Sequence, residues 1–332
     1  MRRLAIIGAG SWGTALAIVL GPRFSDIRLW VYEPDLAERL MRTRINDIYL
    51  PGLEIPVHAV ATHNLAAALD GAEIVVSAVP SHLVRGLYRE MAEFLNERMI
   101  FVSATKGLEN GTLRRISEVI EEGLEPRFSP RIAVISGPTF AREVACFEPT
   151  ALVVASRDAG VAETVQAAFS GPTFRLYTSI DPTGVEVGGS IKNVVAIGSG
   201  VLHGMGMGHN ATAALITRGL AEMTRLAVAM GGKPQTLAGL AGLGDLVLTC
   251  TGELSRNRAV GVELAHGRKL DEIVGSMKMV AEGIKTTNAA VGLAQRYSVE
   301  MPISEQMFQM LHFGIAPREA IQRLMERSLK GE

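Results

Sequence analysis

The chain has 332 residues, of which 48% are hydrophobic and 20% are charged. This length and composition predict a well-packed globular protein with two domains. The 33 basic and 34 acidic residues give a net charge of −1, so no broad field favours nucleic acid or an anionic membrane. Cys146 and Cys250 lie far apart, without histidines at metal-ligand spacing, which argues against a disulfide framework and against a metal site.

The first twenty residues have the outline of a signal peptide, because Met1-Arg2-Arg3 precedes an apolar stretch that runs to Leu20. Glycines and the polar Ser11 interrupt that stretch, and no small-residue cleavage site follows it. No run of 18 apolar residues occurs that would predict a membrane span. We therefore expect a cytoplasmic protein without a membrane span.

A glycine-rich turn, Gly8-Ala9-Gly10-Ser11-Trp12-Gly13, separates an apolar run at 4–7 from a helical stretch at 14–20. A turn of this spacing lets the backbone approach a pyrophosphate, and the helix that follows offers free N–H groups to it. Glu33 stands 20 residues beyond Gly13, at the end of a second strand-like run over 27–32. Because an acidic residue there can bond a ribose hydroxyl, the spacing predicts a dinucleotide site.

Short β-rich or apolar runs alternate with helical stretches through the first half of the chain. This alternation is typical of βαβ units, which build a parallel sheet. Runs that stay apolar throughout, such as 74–76 and 132–135, suit strands buried on both faces. We therefore predict an α/β fold that begins with a Rossmann-like, doubly wound and mostly parallel sheet over residues 1–180. The predicted strands lie at 27–32, 57–60, 73–79, 99–104, 131–136 and 150–155.

Three predicted strands end in loops with polar residues, and ligands of open α/β sheets bind at these carboxyl ends. Ser81 and Thr139 suit either the N-cap of the next helix or a ligand contact. Lys106 either points its ammonium into the crevice or lies in solvent. The three loops are 79–82, 105–109 and 136–141.

The pattern changes after Asp181-Pro182, where strands give way to long stretches with a period near 3.6 residues. We predict an all-α C-terminal domain over residues 181–332 that binds the substrate and carries the catalytic group. Its first helix is predicted over 183–202, and Asn210 is predicted to cap a second helix over 211–230. Glycines are unfavourable inside a helix, so those within 183–202 indicate close approach of another backbone or of a ligand.

Lys192 stands in an otherwise apolar part of this first helix. Burying its charge is unfavourable unless the charge is compensated or the pKa is lowered, which is how catalytic lysines arise. The alternative is a side chain that reaches the surface. Asp245 follows a glycine-rich turn at 239–244, and it either caps the next helix or holds the Lys192 ammonium. Ser255-Arg256-Asn257 suits either a phosphate site at a helix start or a charged surface.

Taken together, these motifs resemble those of the NAD(P)-dependent glycerol-3-phosphate dehydrogenases of the bacterial type. The resemblance covers nearly the whole chain, and its seven segments follow one another in the family's order. They are Gly8-Ala9-Gly10-Ser11-Trp12-Gly13-Thr14-Ala15-Leu16-Ala17, Asn46-Asp47-Ile48-Tyr49-Leu50-Pro51-Gly52, Lys106-Gly107-Leu108, Ser136-Gly137-Pro138-Thr139-Phe140-Ala141, Ile191-Lys192-Asn193-Val194-Val195-Ala196, Gly242-Leu243-Gly244-Asp245-Leu246 and Ser255-Arg256-Asn257.

The resemblance implies a reversible reaction in which dihydroxyacetone phosphate and a reduced nicotinamide dinucleotide give sn-glycerol 3-phosphate for glycerophospholipid synthesis. It implies that Lys192 is the general acid and base, that Asp245 orients it, and that the protein is a homodimer. The implied substrate contacts are Lys106, Gly137, Thr139, Lys192, Asp245, Ser255, Arg256 and Asn257. The implied cofactor contacts are Ser11, Trp12, Lys106, Ala141, Arg256, Val280 and Glu282, which join Gly8, Gly10, Gly13 and Glu33 of the glycine motif.

The second predicted strand ends in Tyr32-Glu33, where the family often has a basic or amide residue that receives a 2′-phosphate. A carboxylate at this position bonds a ribose 2′-hydroxyl and repels a phosphate. We therefore predict that the protein uses NAD or NADP and prefers NAD.

Two other functions are compatible with a dinucleotide site. One is a binding protein that senses the nicotinamide redox state without catalysis, which would not need Lys192, Asp245 and Arg256. The other is a reductase of the β-hydroxyacid type with a carboxylate substrate. Those reductases resemble a pattern with asparagine four residues after the lysine, and this chain has Ala196 there.

Overall fold

The computed structural model describes residues 3–277, 281–329 and 331. It places a mixed sheet with surrounding helices in the first part of the chain. The strands are β1 (Arg3–Ile7), β2 (Asp26–Trp30), β3 (Ile45–Asn46), β4 (Leu50–Glu54), β5 (Ala59–Thr62), β6 (Ile74–Ser77), β7 (Ile100–Ser103), β8 (Arg131–Ser136), β9 (Thr150–Ala155) and β10 (Phe174–Ser179). The helices of this part are α1 (Ser11–Val19), α2 (Pro34–Thr43), α3 (Leu65–Leu69), α4 (Val84–Met91), α5 (Ile116–Leu124), α6 (Ala141–Ala145) and α7 (Ala159–Phe169).

Every regular element among the described residues of the second part of the chain is a helix. Its helices are α8 (Pro182–Gly204), α9 (His209–Ala229), α10 (Pro234–Leu237), α11 (Asp245–Thr251), α12 (Arg256–Ala265), α13 (Leu270–Ser276), α14 (Glu282–Tyr297), α15 (Pro302–Phe313) and α16 (Pro317–Met325). Within the described ranges, we find no helix with the length and apolar character that a membrane crossing requires.

The main sheet has eight strands in the order β10-β9-β8-β7-β6-β1-β2-β5. All neighbouring strands pair in parallel except β8 and β9, which are antiparallel. On β1, Leu4 and Ile6 belong to the core on one face of the sheet, whereas Ala5 and Ile7 belong to the core on the other. Helices therefore cover both faces, and the predicted Rossmann-like, mostly parallel sheet with a helical second part is confirmed.

Each of the six predicted strands overlaps a strand of the sheet, but the prediction omitted β10 and the two-stranded β3–β4 hairpin. β10 lies at the edge of the sheet and exposes alternate side chains. Among these, the Arg175 guanidinium lies 5.2 Å from the ring centre of Tyr177. Such a strand lacks the continuous apolar run that marks a central strand.

α8 runs through the middle of the helical part, and nearly all of its residues are buried. It begins at Pro182, where the Asp181 carboxylate accepts a hydrogen bond from the Gly184 amide at 2.9 Å. A Cβ on Gly200 would lie 1.9 Å from the carbonyl oxygen of Arg258 in α12. Of the two explanations for the helix glycines, Gly200 therefore supports close approach of another backbone.

α9 begins at His209, with Gly208 at the N-cap position, so the predicted cap at Asn210 is wrong. Gly208 has extended backbone angles, φ −76° and ψ 178°, which place the helix start directly after it. Asn210 is an exposed residue of the first turn. Side-chain preference favoured Asn210, but the Thr212 amide already donates to the carbonyl oxygen of Gly208, which places the cap at Gly208.

Candidate active site

The turn between β1 and α1 has a backbone that requires glycine at two positions. Gly8 has φ +113°, and a Cβ on Gly13 would lie 1.8 Å from the carbonyl oxygen of Gly8. A Cβ on Gly10, in contrast, would meet nothing within 4 Å, so this side of the turn faces open space. No side chain caps the α1 N-terminus at Gly10. An open cradle before an uncapped helix start fits the pyrophosphate of a dinucleotide.

Ser11 and Trp12 form the first turn of α1 at this cradle. The Ser11 hydroxyl donates a hydrogen bond to the carbonyl oxygen of Tyr49 at 2.7 Å. The Trp12 indole nitrogen is buried and has no hydrogen-bond partner among the described residues. Buried N–H groups normally have a partner, so an acceptor from a bound ligand suits this position.

Glu33 follows β2 and occupies the N-cap position of α2. One of its carboxylate oxygens, Oε1, accepts a hydrogen bond from the Tyr49 hydroxyl at 2.7 Å. This bond raises the pKa of Tyr49 to about 12, so the phenol stays protonated. Because β2 pairs with β1, the carboxylate is held at the same edge of the sheet as the glycine turn.

Lys106 follows β7, and its ammonium points into the cleft between the sheet and the helical part. Its Nζ donates three hydrogen bonds, each 2.9 Å long, to the carbonyl oxygen of Gly137, the hydroxyl of Thr139 and Oδ2 of Asp245. The solvent alternative for Lys106 is therefore wrong. Thr139 is not an N-cap either, because α6 begins at Ala141 after Phe140.

Lys192 lies in the middle of α8 and is only 4% exposed. Its Nζ donates hydrogen bonds to Oδ1 of Asp245 and, at 2.9 Å, to the hydroxyl of Thr249. Asp245, which is 1% exposed, is the first residue of α11, and Gly244 takes the N-cap position. Asp245 therefore holds the Lys192 ammonium instead of capping the helix, and Lys192 does not reach the surface.

The surroundings of Lys192 lower the pKa of its ammonium towards neutrality. Burial lowers the pKa of Lys192 to about 7, against the opposing attraction of the Asp245 carboxylate. The nearby Lys106 ammonium lowers this pKa further by repulsion. A group with a pKa near the working pH is populated both as proton donor and as proton acceptor.

Ser255, Arg256 and Asn257 lie together where α12 begins. The Ser255 hydroxyl caps the helix by accepting the backbone N–H three residues on, at 3.2 Å. Arg256 is exposed and makes no hydrogen bond to any residue that the structure describes. Asn257 is buried, donates to the Asn193 side chain at 2.9 Å and accepts from the Gly283 amide at 2.9 Å. Asn257 thus joins three helices next to Lys192, and Arg256 is left available to an anion.

Glu282 is the first residue of α14, and its Oε2 accepts a hydrogen bond from the Ser81 hydroxyl at 3.0 Å. Burial raises the pKa of the Glu282 carboxyl. Ser81 follows β6, so this bond joins a strand-end loop of the sheet to the helical part. Ser81 donates to Glu282 across the cleft, and no helix-cap bond from its side chain is found in the described chain. The predicted cofactor contact Val280 lies outside the described residues.

Three residues at the site were not singled out by their own chemistry. Thr249 lies one helical turn after Asp245, and this i, i+4 spacing could have placed it beside the same ammonium. Asn193 and Tyr49 stood inside recognised motifs, but their partners are distant in sequence. Within residues 3–277, 281–329 and 331, no group of three or more histidine, cysteine or acidic side chains could hold a metal ion.

The cleft has a dinucleotide cradle on the sheet side and a buried lysine with a pKa near neutrality on the helical side. These two features define a class of protein, the NAD(P)-dependent oxidoreductases that act on a CH–OH group, in which hydride and proton move together.

Comparison with known proteins identifies the family. Family models described as the N-terminus and the C-terminus of NAD-dependent glycerol-3-phosphate dehydrogenase match residues 3–162 and 181–322. The chain is 57% identical to a glycerol-3-phosphate dehydrogenase of Koribacter versatilis over 98% of each chain. It is 52% identical to that of Citrifermentans bemidjiense, over 99% of this chain and 98% of the relative. The chain belongs to the NAD-dependent glycerol-3-phosphate dehydrogenase family.

A solved structure agrees with this assignment. The crystal structure of glycerol-3-phosphate dehydrogenase from Coxiella burnetii superposes with a TM-score of 0.93 at 41% identity, over 98% of this chain and 99% of that one. The predicted family, fold class and NAD(P)-dependent dehydrogenase activity on glycerol 3-phosphate are therefore confirmed.

Proposed function

We propose that Lys192 is the general acid and base in the reversible reduction of dihydroxyacetone phosphate to sn-glycerol 3-phosphate. The observation that carries this proposal is that Lys192 and Lys106 meet on the single carboxylate of Asp245. In reduction, the Lys192 ammonium gives a proton to the carbonyl oxygen; in oxidation, the neutral amine removes it from the hydroxyl. Asp245 keeps Lys192 oriented in both directions.

A bound nicotinamide dinucleotide supplies or accepts the hydride. The open side of the Gly10 turn and the uncapped α1 N-terminus support binding of its pyrophosphate there. The residues proposed to hold the dinucleotide are Gly8, Gly10, Ser11, Trp12, Gly13, Glu33, Lys106, Ala141, Arg256, Val280 and Glu282.

The substrate phosphate is proposed to bind at the start of α12. Arg256 supports this placement, since it is exposed and has no hydrogen bond within the described residues. A guanidinium binds phosphate through two parallel hydrogen bonds. Anchoring the phosphate there would hold the carbonyl end near Lys192, because Asn257 is bonded to Asn193, the neighbour of Lys192. The residues proposed to contact substrate are Lys106, Gly137, Thr139, Lys192, Asp245, Ser255, Arg256 and Asn257.

Oxidation of NADH with dihydroxyacetone phosphate, and with dihydroxyacetone as the phosphate-free substrate, tests this function. Arg256→Ala should raise the KM for dihydroxyacetone phosphate roughly 10–100-fold, the value of one or two lost charge-assisted hydrogen bonds. With NADH at saturation, so that the proposed contact of Arg256 with the dinucleotide does not affect the rate, turnover of dihydroxyacetone should not change. Arg318→Ala, at an exposed arginine of α16, is the matched control.

The same assay separates the other functions. A redox-sensing binding protein would bind NADH without oxidising it, and a β-hydroxyacid reductase would not turn over dihydroxyacetone phosphate. If Arg256→Ala lowered kcat/KM equally for dihydroxyacetone phosphate and dihydroxyacetone, Arg256 would not bind the phosphate.

The preference for NAD is proposed from the Glu33 carboxylate at the end of β2, which suits a ribose 2′-hydroxyl and repels a 2′-phosphate. Initial rates with NADH and NADPH at equal concentrations test it. A lower KM for NADPH than for NADH would contradict the preference.

We also propose that the protein is a cytoplasmic homodimer with a role in glycerophospholipid synthesis. Within each chain, the boundary between the two proposed domains lies between residues 180 and 181. β10 ends at Ser179 and α8 starts at Pro182, which supports that boundary. Light scattering during gel filtration should give twice the 35.5 kDa mass of the chain. A mass equal to that of one chain would exclude the dimer.

A further inference from the structure

The β3–β4 hairpin connects the glycine turn to Glu33 through a continuous set of hydrogen bonds. Asn46, fully buried in the hairpin, donates to the carbonyl oxygen of Ala9 and to the hydroxyl of Thr14, each at 2.8 Å. Its own side-chain oxygen accepts the backbone N–H of Tyr49 at 3.0 Å. Together with the bond from Ser11 to the Tyr49 carbonyl, these contacts fix the backbone of Tyr49 relative to the turn.

The Tyr49 side chain extends this arrangement to Glu33. Its hydroxyl donates to Oε1 of Glu33 at 2.7 Å, a distance typical of a strong hydrogen bond to a charged acceptor. Within the described residues, Oε2 of Glu33 has no hydrogen-bond partner. One oxygen of the carboxylate is therefore fixed by the protein, and the other is available to a ligand.

We propose that Tyr49 is a specificity-determining positioning residue, whose hydroxyl orients the Glu33 carboxylate so that its second oxygen accepts the adenosine ribose 2′-hydroxyl. This inference rests on the proposed role of Glu33 in the preference for NAD. A glutamate side chain on a half-exposed loop otherwise samples several rotamers, and only some of them bring the negative charge to the ribose. By holding one rotamer, Tyr49 favours a free 2′-hydroxyl and disfavours a 2′-phosphate.

The experiment compares wild type, Tyr49→Phe, Glu33→Gln and the double variant. Dissociation constants of NADH and NADPH are measured by fluorescence, alongside KM and kcat. We expect Tyr49→Phe to weaken NADH binding about tenfold, the effect of one hydrogen bond to a charged group. NADPH binding should not weaken, and kcat at saturating NADH should not change. In the Glu33→Gln background, Tyr49→Phe should have no further effect on the ratio of the two constants.

The matched control is Tyr177→Phe, which removes a phenol hydroxyl from β10 at the far edge of the sheet. A second readout needs no dinucleotide. Because the bond to Glu33 raises the pKa of Tyr49 to about 12, ultraviolet titration of Glu33→Gln should show one tyrosine that ionises at lower pH.

The outcomes separate the two proposals. If Glu33→Gln leaves the ratio of the NADH to the NADPH dissociation constant unchanged, the proposed role of Glu33 fails and the inference on Tyr49 fails with it. If Glu33→Gln raises the ratio of the NADH to the NADPH dissociation constant and Tyr49→Phe does not, only the inference on Tyr49 fails. If Tyr49→Phe weakened the binding of NADH and NADPH equally, the inference on Tyr49 would also be overturned, because the change would then act on the glycine turn in general.

Discussion

Helix α8 carries two buried charged residues, Glu186 and Lys192, with different partners. Glu186 bonds residues of the sheet-containing part, whereas Lys192 bonds Asp245 and Thr249 of α11 in the helical part. Glu186 accepts hydrogen bonds from the Arg115 guanidinium at 2.7 Å, and from the backbone N–H and hydroxyl of Ser117 at 2.8 and 2.6 Å. Arg115 also pairs with Glu118 at 2.8 Å. In this cluster, a single cation is surrounded by two carboxylates, and each oxygen of Glu186 has a donor.

The cluster around Lys192 has the opposite balance. Two ammonium groups, those of Lys106 and Lys192, share the one carboxylate of Asp245. The surplus positive charge helps to lower the pKa of Lys192, and it leaves a proton that can be given to an oxygen atom of a ligand. The comparison shows that burial of charge alone does not mark a catalytic group. What distinguishes the proposed catalytic cluster is its surplus of positive charge around one carboxylate, which favours release of a proton from Lys192.

The largest effect should come from Lys192→Met, which removes the proton donor. We expect kcat to fall roughly 10²–10⁴-fold, the usual contribution of general acid–base catalysis. Because the wild-type ammonium is already unfavourable in its buried site, the free energy of unfolding should change by about 1 kcal/mol or less. Stopped-flow assays measure kcat, and NADH fluorescence checks that dinucleotide binding is retained. Near-normal turnover would remove Lys192 from its proposed role.

Glu186→Gln should lower the free energy of unfolding and leave the pH dependence of kcat unchanged. The cost should be about 1.5–3 kcal/mol, the value of hydrogen bonds to a charged group, because the Arg115 guanidinium loses Glu186 but keeps its ion pair with Glu118. Urea denaturation measures the loss, and the pH midpoint of kcat should not move. The control is Glu319→Gln, which breaks an exposed i, i+4 pair with Arg323 and should cost about 0.3–0.5 kcal/mol. A shifted pH midpoint in Glu186→Gln would show that the two clusters are not independent.

The sequence located the charged residues around Lys192 better than those around Glu186. Lys106 follows a predicted strand, and Lys192 interrupts an apolar helix, so position and burial together marked both as unusual. Arg115 and Glu186 are 71 residues apart and carry no comparable signal. Their pairing depends on how α5 meets α8, which only the packed structure defines.

The same limit applies to the dinucleotide site. The glycine spacing predicted the turn because backbone geometry there is local. That Tyr49 bonds Glu33 could not be predicted, since the contact depends on the hairpin folding back over the turn. The strand β10 was missed because its alternating edge pattern is weaker than that of a buried strand.

Lys106→Met should have a smaller effect, which is a shift in the pH dependence of the reaction. It tests whether the Lys106 charge lowers the pKa of Lys192. Reduction needs protonated Lys192, so its rate should fall as the pH rises through about 7, whereas oxidation should rise over the same range. Removing the Lys106 charge should raise the pKa of Lys192 and move both limbs to higher pH. Lys106→Arg, which keeps the charge, should leave the midpoint near that of wild type. An unchanged midpoint in Lys106→Met would mean that repulsion by Lys106 does not contribute to the low pKa of Lys192.

The smallest effect is expected for Thr249→Val, which preserves shape but removes one hydrogen bond to the Lys192 ammonium. The Thr249 hydroxyl accepts from Lys192 at 2.9 Å and donates to the backbone carbonyl of Asp245 at 2.6 Å. A typical hydrogen bond contributes about 0.5–1.5 kcal/mol net, and Asp245 still holds Lys192, so kcat should fall roughly two- to tenfold while KM stays constant. Thr249→Ser keeps the hydroxyl and should restore the rate. If serine failed to rescue, packing of the methyl group would explain the loss, and Lys192 would be oriented by Asp245 alone.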